Sequence, residues 1–153
     1  MNELGKGTTI IPPITDIYNV HDRFYERSKK GTVHSVITTT FYPHFPKLLH
    51  ELLPKNIHAN VIVSCELFDK LRTEHRTEIV KFLDNELIHL FVYPKNMGLL
   101  SFLYNEYCIM LSPLTNKGDF DNKHIEYCNQ GARNWGKELF EHYLNESRPI
   151  TEL

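Results

Sequence analysis

The chain of 153 residues lacks the features that mark several large classes of protein. It has only three cysteines, with no Cys-x-x-Cys pair, at Cys65, Cys108 and Cys128. Such spacing indicates neither a disulfide framework nor a zinc site, so we expect buried free thiols in a reducing compartment. No apolar run approaches the roughly 20 residues that span a bilayer, and the first residues have no signal-peptide core. We therefore expect a cytoplasmic protein without membrane contact.

Excess charge and clustered glycines are also missing. Seventeen basic and nineteen acidic residues give a formal net charge of −2, which is no electrostatic footprint for nucleic-acid phosphates. DNA binding by this chain alone is therefore not expected. Only seven glycines occur and none cluster, so a glycine-rich phosphate loop is excluded, and no Gly-x-Ser-x-Gly nucleophile elbow exists. No enzyme class is indicated.

The nine histidines have no metal-binding spacing. Neither His-x-x-x-His nor His-Glu-x-x-His occurs, so no metal site is predicted. Ligation of haem through one axial histidine, or through Cys65, leaves almost no trace in a sequence. This alternative stays open, although no motif supports it. Asp119 and Asp121 are neighbouring carboxylates in a polar stretch, for which a solvated turn is the favoured interpretation.

What the chain does contain is the pattern of one α/β domain, with 41% hydrophobic residues and no internal repeat. Runs rich in β-branched and apolar residues predict strands at residues 32–41, 59–65 and 88–93. Helical periodicity lies between them, at 45–53 and from 67 to 83, and a further helix is predicted from Thr15 or Asp16 to Lys30. Two strand–helix–strand crossovers predict that the three strands are parallel neighbours.

Shorter segments complete the predicted sheet. Residues 5–13 suit a loop or a short edge strand, because Pro12 and Pro13 stop regular pairing. Residues 99–104 and 107–111 predict an antiparallel hairpin around Asn105-Glu106, so the sheet is mixed. Residues 115–123 predict a polar surface loop. No linker divides the chain, and we expect a single domain over 1–153.

The most informative segment is the predicted last helix, residues 129–147. Ala132, Trp135, Leu139 and Tyr143 recur at steps of three and four residues and so lie on one face. Gly136 stands beside the only tryptophan, where a large side chain would block close approach. The pattern predicts a terminal helix laid on the sheet.

This helix also resembles part of a known family. Its Trp-Gly-x-Glu-Leu-Phe-x-x-Tyr run is similar to the effector domain found C-terminal to a winged helix in transcription regulators of methanogenic archaea, the methanogenesis-regulator middle-domain family. Two further segments fit in order, the run Phe41-Tyr42-Pro43-His44-Phe45-Pro46 and the run Val61-Ile62-Val63-Ser64 that leads into residues 66–71. The resemblance covers roughly residues 3–148.

The resemblance implies a phospholipase D-like fold, with three parallel strands, an antiparallel hairpin and a long C-terminal helix packed on the sheet. It implies a non-catalytic signal-sensing and dimerisation domain of an archaeal regulator, with an unknown small-molecule effector. DNA would be reached only through a winged-helix domain that is absent from this chain. The chain is then either an isolated sensor portion or a natural stand-alone version.

Two other functions stay open beside this interpretation. One is a degenerate phospholipase D-like phosphodiesterase, although the catalytic form of that fold needs a His-x-Lys pair with histidine as the nucleophile, and no His-x-Lys occurs here. The other is a haem- or redox-sensing domain that uses Cys65 or His44. For the expected homodimer, the candidate surface is the hairpin over residues 99–111, whose apolar residues suit a core equally well.

A ligand site is predicted where the parallel strands end. In open sheets of this kind, ligands bind beyond the carboxyl ends of the strands, where the loops diverge. The predicted ends offer hydroxyl groups, aromatic rings and one imidazole: Thr38, Thr40, Phe41, Tyr42, His44, Ser64, Cys65 and Tyr93. For Ser64 the alternative role, capping of the next helix, has about equal weight.

Overall fold

A computed structural model describes residues 4–16, 24, 26, 30–43, 50–51 and 56–153. Among these residues the strands are β1 (Thr8–Ile10), β2 (Val33–Thr38), β3 (His58–Ser64), β4 (Ile88–Tyr93), β5 (Ser101–Tyr104), β6 (Ile109–Ser112), β7 (His124–Tyr127) and β8 (Arg148–Ile150). The helices are α1 (Cys65–Glu74), α2 (Arg76–Leu83) and α3 (Gln130–Asn145), with one 3-10 turn, Ile14–Asp16.

All the described strands belong to one mixed sheet, in the order β1-β7-β6-β5-β2-β3-β4-β8. Strands β2, β3 and β4 are parallel neighbours, as predicted. Antiparallel β5 lies against the other side of β2, and β6, β7 and β1 continue the sheet from there. Strand β8 is antiparallel to β4 and forms the opposite edge. The predicted fold class, a mixed α/β sheet with a C-terminal helix, is confirmed.

The strands and helices follow from local sequence. Val61, Ile62 and Val63 make β3 apolar on both faces, and all three are buried. Ser64 then begins α1, because its Oγ accepts the Leu67 N–H at 3.1 Å. Asn129 begins α3 in the same way, with its Oδ1 accepting the Ala132 N–H at 2.9 Å.

The two faces of the sheet have separate cores. On one face α1 and α2 cover the parallel strands, and their buried leucines and phenylalanine pack on valines and leucines of β3 and β4. On the other face α3 packs on β2, β4, β5 and β6. Ala132, Gly136 and Phe140 form the buried line of α3, and Trp135, Leu139 and Tyr143 pack half-buried beside it. The predicted docking face of the last helix is confirmed.

Some predictions differ from the structure in extent or position. The first predicted strand is shorter, since β2 ends at Thr38. Strands β7 and β8 were not predicted, because each is short and carries polar side chains that resemble a loop. The helices predicted over 16–30 and 45–53 lie largely outside the described residues. Within the first of them, Phe24 is described and is buried against Cys108 and Met110.

The prediction of three free thiols is wrong. Cys108 and Cys128 form a disulfide, with their Cα atoms 4.1 Å apart, and Cys65 is the free cysteine. The 20 residues between the partners hid this pairing. Strand β6 begins just after Cys108 and β7 ends just before Cys128, and their antiparallel register places the two cysteines opposite each other.

The hairpin is also not a free surface. Strands β5 and β6 lie inside the sheet, and Phe102, Ile109 and Met110 are completely buried. These apolar residues belong to the core, so the candidate dimer surface over residues 99–111 is wrong.

Candidate functional site

The sheet separates the residues predicted to bind a ligand. Phe41 packs with the core beneath α1 and α2, and its ring stacks on His75 with the ring centroids 4.4 Å apart. Tyr93 belongs to the core beneath α3, on the opposite face. Because a sheet lies between them, Phe41 and Tyr93 do not line one cavity. His44 lies outside the described residues, so its place in the site stays a prediction.

Three of the predicted residues have structural contacts at the strand ends. Ser64 caps α1, and the Cys65 thiol donates to the Tyr93 carbonyl oxygen at 3.4 Å. The Tyr93 hydroxyl donates to Glu146 Oε2 at 3.0 Å, and Lys95 Nζ donates to the same oxygen at 2.9 Å. These bonds connect the end of β4 to the end of α3. Ser64, Cys65 and Tyr93 therefore help to hold the helices on the sheet.

Thr38, Thr40 and Tyr42 come together at the end of β2. Thr38 Oγ1 donates to the Thr40 carbonyl oxygen at 2.7 Å and accepts the Thr40 N–H at 3.2 Å, which turns the chain sharply after β2. The turn returns Tyr42 over the sheet, where its hydroxyl lies 3.1 Å from Ser101 Oγ. This contact links the end of β2 to the start of β5.

Ser101 belongs to a line of buried polar residues that crosses four strands. Thr38 pairs with Ser101, and Ser101 pairs with Ser112, so the three side chains share one face of the sheet. Ser112 Oγ lies 2.7 Å from His124 Nδ1. We call Thr38, Ser101, Ser112 and His124 the polar row. Ser101 and Ser112 are completely buried, Thr38 is 6% exposed and His124 is 2% exposed.

The polar row carries no net charge near neutral pH. Burial lowers the pKa of His124, and the carboxylate of Asp121 opposes this only in part, so the imidazole is neutral. Burial raises the pKa of Tyr42, although its hydrogen bond to Ser101 acts in the other direction, so the phenol stays protonated. The row and Tyr42 therefore offer uncharged donors and acceptors in a buried setting.

Sequence reasoning missed Ser101, Ser112 and His124. A tight turn at Asn105-Glu106 would have set a different register for the hairpin. The connection actually takes four residues, 105 to 108, because Asn105 Oδ1 accepts the N–H groups of Tyr107 and Cys108 at 2.9 and 3.0 Å. That length brings Ser101 opposite Ser112. Ser101 lies four residues before the turn begins and Ser112 lies four residues after it ends. This equal spacing is the only feature of the sequence that indicates their pairing.

A concave region lies at the far edge of the sheet. It is an open groove of about 220 Å³ between α2, β4 and β8, and contains none of the eight predicted residues. Its lining is largely apolar, with His89 and Glu86 among the polar members.

Comparison with known proteins gives one family. Residues 17–146 match the family described as methanogenesis regulatory protein FilR1, middle domain. No curated protein sequence is significantly similar to the chain. No helix in the described part of the chain is long and apolar enough to cross a membrane.

Several solved structures share the fold at low identity. TrmBL2, an archaeal chromatin protein whose structure shows a novel mode of DNA binding, aligns with a TM-score of 0.71 and 10% identity, over 95% of this chain and 55% of that one. The chain thus spans about half the length of TrmBL2. NucT from Helicobacter pylori aligns with a TM-score of 0.67 and 8% identity, over 95% and 99% of the two chains. Nuc from Salmonella typhimurium, a phospholipase D family member, aligns at 0.59 with 11% identity, over 96% and 100%.

Proposed function

Because the chain belongs to the FilR1 middle-domain family of methanogenesis regulators, we propose that it is the signal-sensing and self-association domain of a transcription regulator. The family match over residues 17–146 carries this proposal. The site at the end of β2 supplies the chemistry for an effector. Such a regulator works at the chromosome, so the proposed location is cytoplasmic.

The proposed role in DNA binding is indirect. TrmBL2 binds DNA, but this chain corresponds to only 55% of it and has a net charge of −2. A protein surface that binds phosphates needs an excess of lysine and arginine. DNA contact is therefore assigned to a separate winged-helix domain, and this domain transmits the signal.

The domain is also proposed to be non-catalytic. Its fold neighbours NucT and Nuc, of which Nuc is a phospholipase D family member, align at 8% and 11% identity, which supports a common architecture and no more. The chain has no His-x-Lys pair to provide a nucleophilic histidine with a phosphate-binding lysine. The residues at the end of β2 suit binding by hydrogen bonds.

The proposed effector is a small uncharged molecule with several hydroxyl groups. The polar row and Tyr42 are neutral, and a buried charge without a partner would be costly beside them. Thr40 and Tyr42 lie half-buried just after β2, whereas Ser101 and Ser112 are buried. The binding site is thus assigned to Thr38, Thr40 and Tyr42, with Phe41 and His44 as predicted neighbours.

A thermal-shift screen with neutral polyols, sugars, methanogenic substrates and haem tests this assignment. A ligand at 100 times its Kd stabilises the folded state by about 2.7 kcal/mol and so raises Tm. We expect a hit whose shift shrinks in Tyr42→Phe and in Ser101→Ala, each compared with its own ligand-free Tm. Tyr107→Phe is the matched control, because that tyrosine is 43% exposed in the β5–β6 turn. A flat screen, or a shift that Tyr42→Phe leaves unchanged, would contradict the proposed site.

Self-association is proposed to use the edge of the sheet at β1. Ile11 and Ile14 are 64% and 86% exposed, and Phe120 is 53% exposed. Asn122 Nδ2 donates to the Pro12 carbonyl oxygen at 2.9 Å, which brings the loop of Phe120 beside the segment of both isoleucines. A regulator that reads a two-fold operator needs a two-fold dimer, and an exposed apolar surface suits a second copy of the chain.

Light scattering at tens of micromolar tests this dimer. We expect a mass of twice 18.0 kDa, and a monomer after Ile14→Asp, because a buried charge opposes an apolar contact. Val80→Asp, at a 40% exposed valine of α2, is the control and should stay dimeric. A monodisperse monomer of the unchanged chain would argue against dimerisation. A dimer that persists in Ile14→Asp would argue against this surface.

A further inference from the structure

The disulfide lies at the end of the sheet opposite to the polar row. Ile109 pairs with Tyr127, so one step further along the antiparallel ladder Cys108 meets Cys128. Cys108 is 5% exposed, and Cys128 is exposed. A reductant can therefore reach the bond from the side of Cys128.

A buried carboxylate accompanies this cysteine pair. Glu126 is in β7 and Cys128 follows the strand directly, two residues later, so both side chains lie on the same face of the sheet. Glu126 pairs with Met110 of β6. Met110 is two residues after Cys108, so the side chains of Met110 and Cys108 also lie on this face. Its side chain is 4% exposed. The two sulfurs and a carboxylate oxygen of Glu126 all lie within 4.8 Å of one another.

We propose that the reduced Cys108–Cys128 pair and Glu126 form a binding site for a divalent metal ion of the zinc type. Zinc takes thiolates at about 2.3 Å and carboxylate oxygens at about 2.0–2.2 Å in tetrahedral geometry. Two sulfurs on one such ion are roughly 3.8 Å apart by that geometry, so the two sulfurs, which are bonded to each other in the disulfide, must move apart when it is reduced. Two thiolates select zinc or cobalt over magnesium or calcium.

The change of state is a two-electron exchange with a dithiol. The dithiol reductant attacks Cys128 Sγ, the Cys108 thiolate leaves, and the reductant closes to its own disulfide. Both cysteines are then thiols, and they release their two protons when the metal binds. Water from the exposed side of Cys128 completes the fourth coordination position. The ion replaces the covalent bond as the link between β6 and β7.

Titration of the whole chain with Co²⁺ under anaerobic conditions tests the site, because Co²⁺ reports thiolate ligation by its absorption. We expect one Co²⁺ per chain after reduction with a phosphine, which does not itself supply thiols. A near-ultraviolet charge-transfer band and visible bands typical of tetrahedral cobalt should appear, and added Zn²⁺ should displace them. Before reduction no thiolate is available at this pair, so these bands should be absent.

Variants separate this cluster from the other thiol. Cys128→Ser should lose the cobalt spectrum, whereas Cys65→Ser, which removes the free cysteine, should keep it. Glu126→Gln should weaken binding by at least the roughly tenfold that even an outer-shell change costs. Asp119→Asn, in the exposed loop, is its matched control.

Three results would overturn the proposal. They are absence of cobalt binding by the reduced chain, binding that survives Cys128→Ser, and loss of the native circular dichroism spectrum on reduction in the presence of metal. The wild-type comparison needs no substitution, so poor folding of a variant does not affect it. The polar row is not involved in this test, so its outcome is independent of the proposed effector site.

Discussion

Replacement of Phe102 by alanine is expected to lower the free energy of unfolding by about 3–5 kcal/mol. Phe102 is completely buried in β5 and contacts the core beneath α3. Its ring meets Trp135 edge to face, with the centroids 6.1 Å apart. Alanine would leave a cavity under α3 and remove the aromatic contact. Urea unfolding, followed by tryptophan fluorescence and circular dichroism, measures the loss.

Tyr107→Ala is the matched control for this change. Tyr107 is 43% exposed in the β5–β6 turn, and exposed substitutions usually change stability by about 0.5 kcal/mol or less. Similar losses of unfolding free energy for the two variants would contradict the packing of α3 on Phe102. If Phe102→Ala does not fold, its loss of stability is larger than expected. Phe102→Leu, which removes less of the side chain, would then be measured in its place.

Gly136→Val is expected to cost about 3 kcal/mol of stability, because α3 touches the sheet at this glycine. A Cβ atom placed there would lie 2.5 Å from Ile109 Cγ2 and 3.2 Å from Phe102 Cζ. Both neighbours are completely buried, so neither can move freely. Helix propensity favours valine over glycine slightly, so any loss reports the steric contact. Thermal and urea unfolding measure it.

Glu138→Val is the control for the effect of a β-branched residue on the helix itself. Glu138 lies in the same helix but is exposed, so valine meets no neighbour there. Its cost should be a few tenths of a kcal/mol. Ile109→Ala combined with Gly136→Val should be less destabilised than the sum of the two single changes, since the shorter side chain makes room for valine. Strict additivity would contradict the contact between α3 and β6.

Local patterns predicted the part of the fold in which neighbours in sequence are neighbours in space. Long apolar runs predicted β3 and β4, and the helical spacing of Ala132 and Trp135 predicted the inner face of α3. Both are confirmed, because burial on two faces or on one stripe leaves a direct periodic mark in sequence. The family was recognised from segments of the same kind and is confirmed by the match over residues 17–146.

The candidate site was predictable only in part. Tyr42 and Thr38 follow a strong strand signal, so their position at its end could be predicted. Ser101 and Ser112 join them through a register that depends on the four-residue turn at Asn105. Strand β7, which carries His124, has four residues that alternate without a long apolar run. No local signal distinguishes such a strand from a loop.

The sequence by itself determined the α/β class, the three parallel strands and the closing helix, because those elements are specified by periodic burial within short windows. Only the tertiary structure decided that the hairpin is interior, that Phe41 and Tyr93 lie on opposite faces, and that Cys108 meets Cys128. Each of these facts depends on which strand pairs with which and in what register. Register is set by non-local pairing and turn length, since a shift of one residue moves every side chain of a strand to the other face.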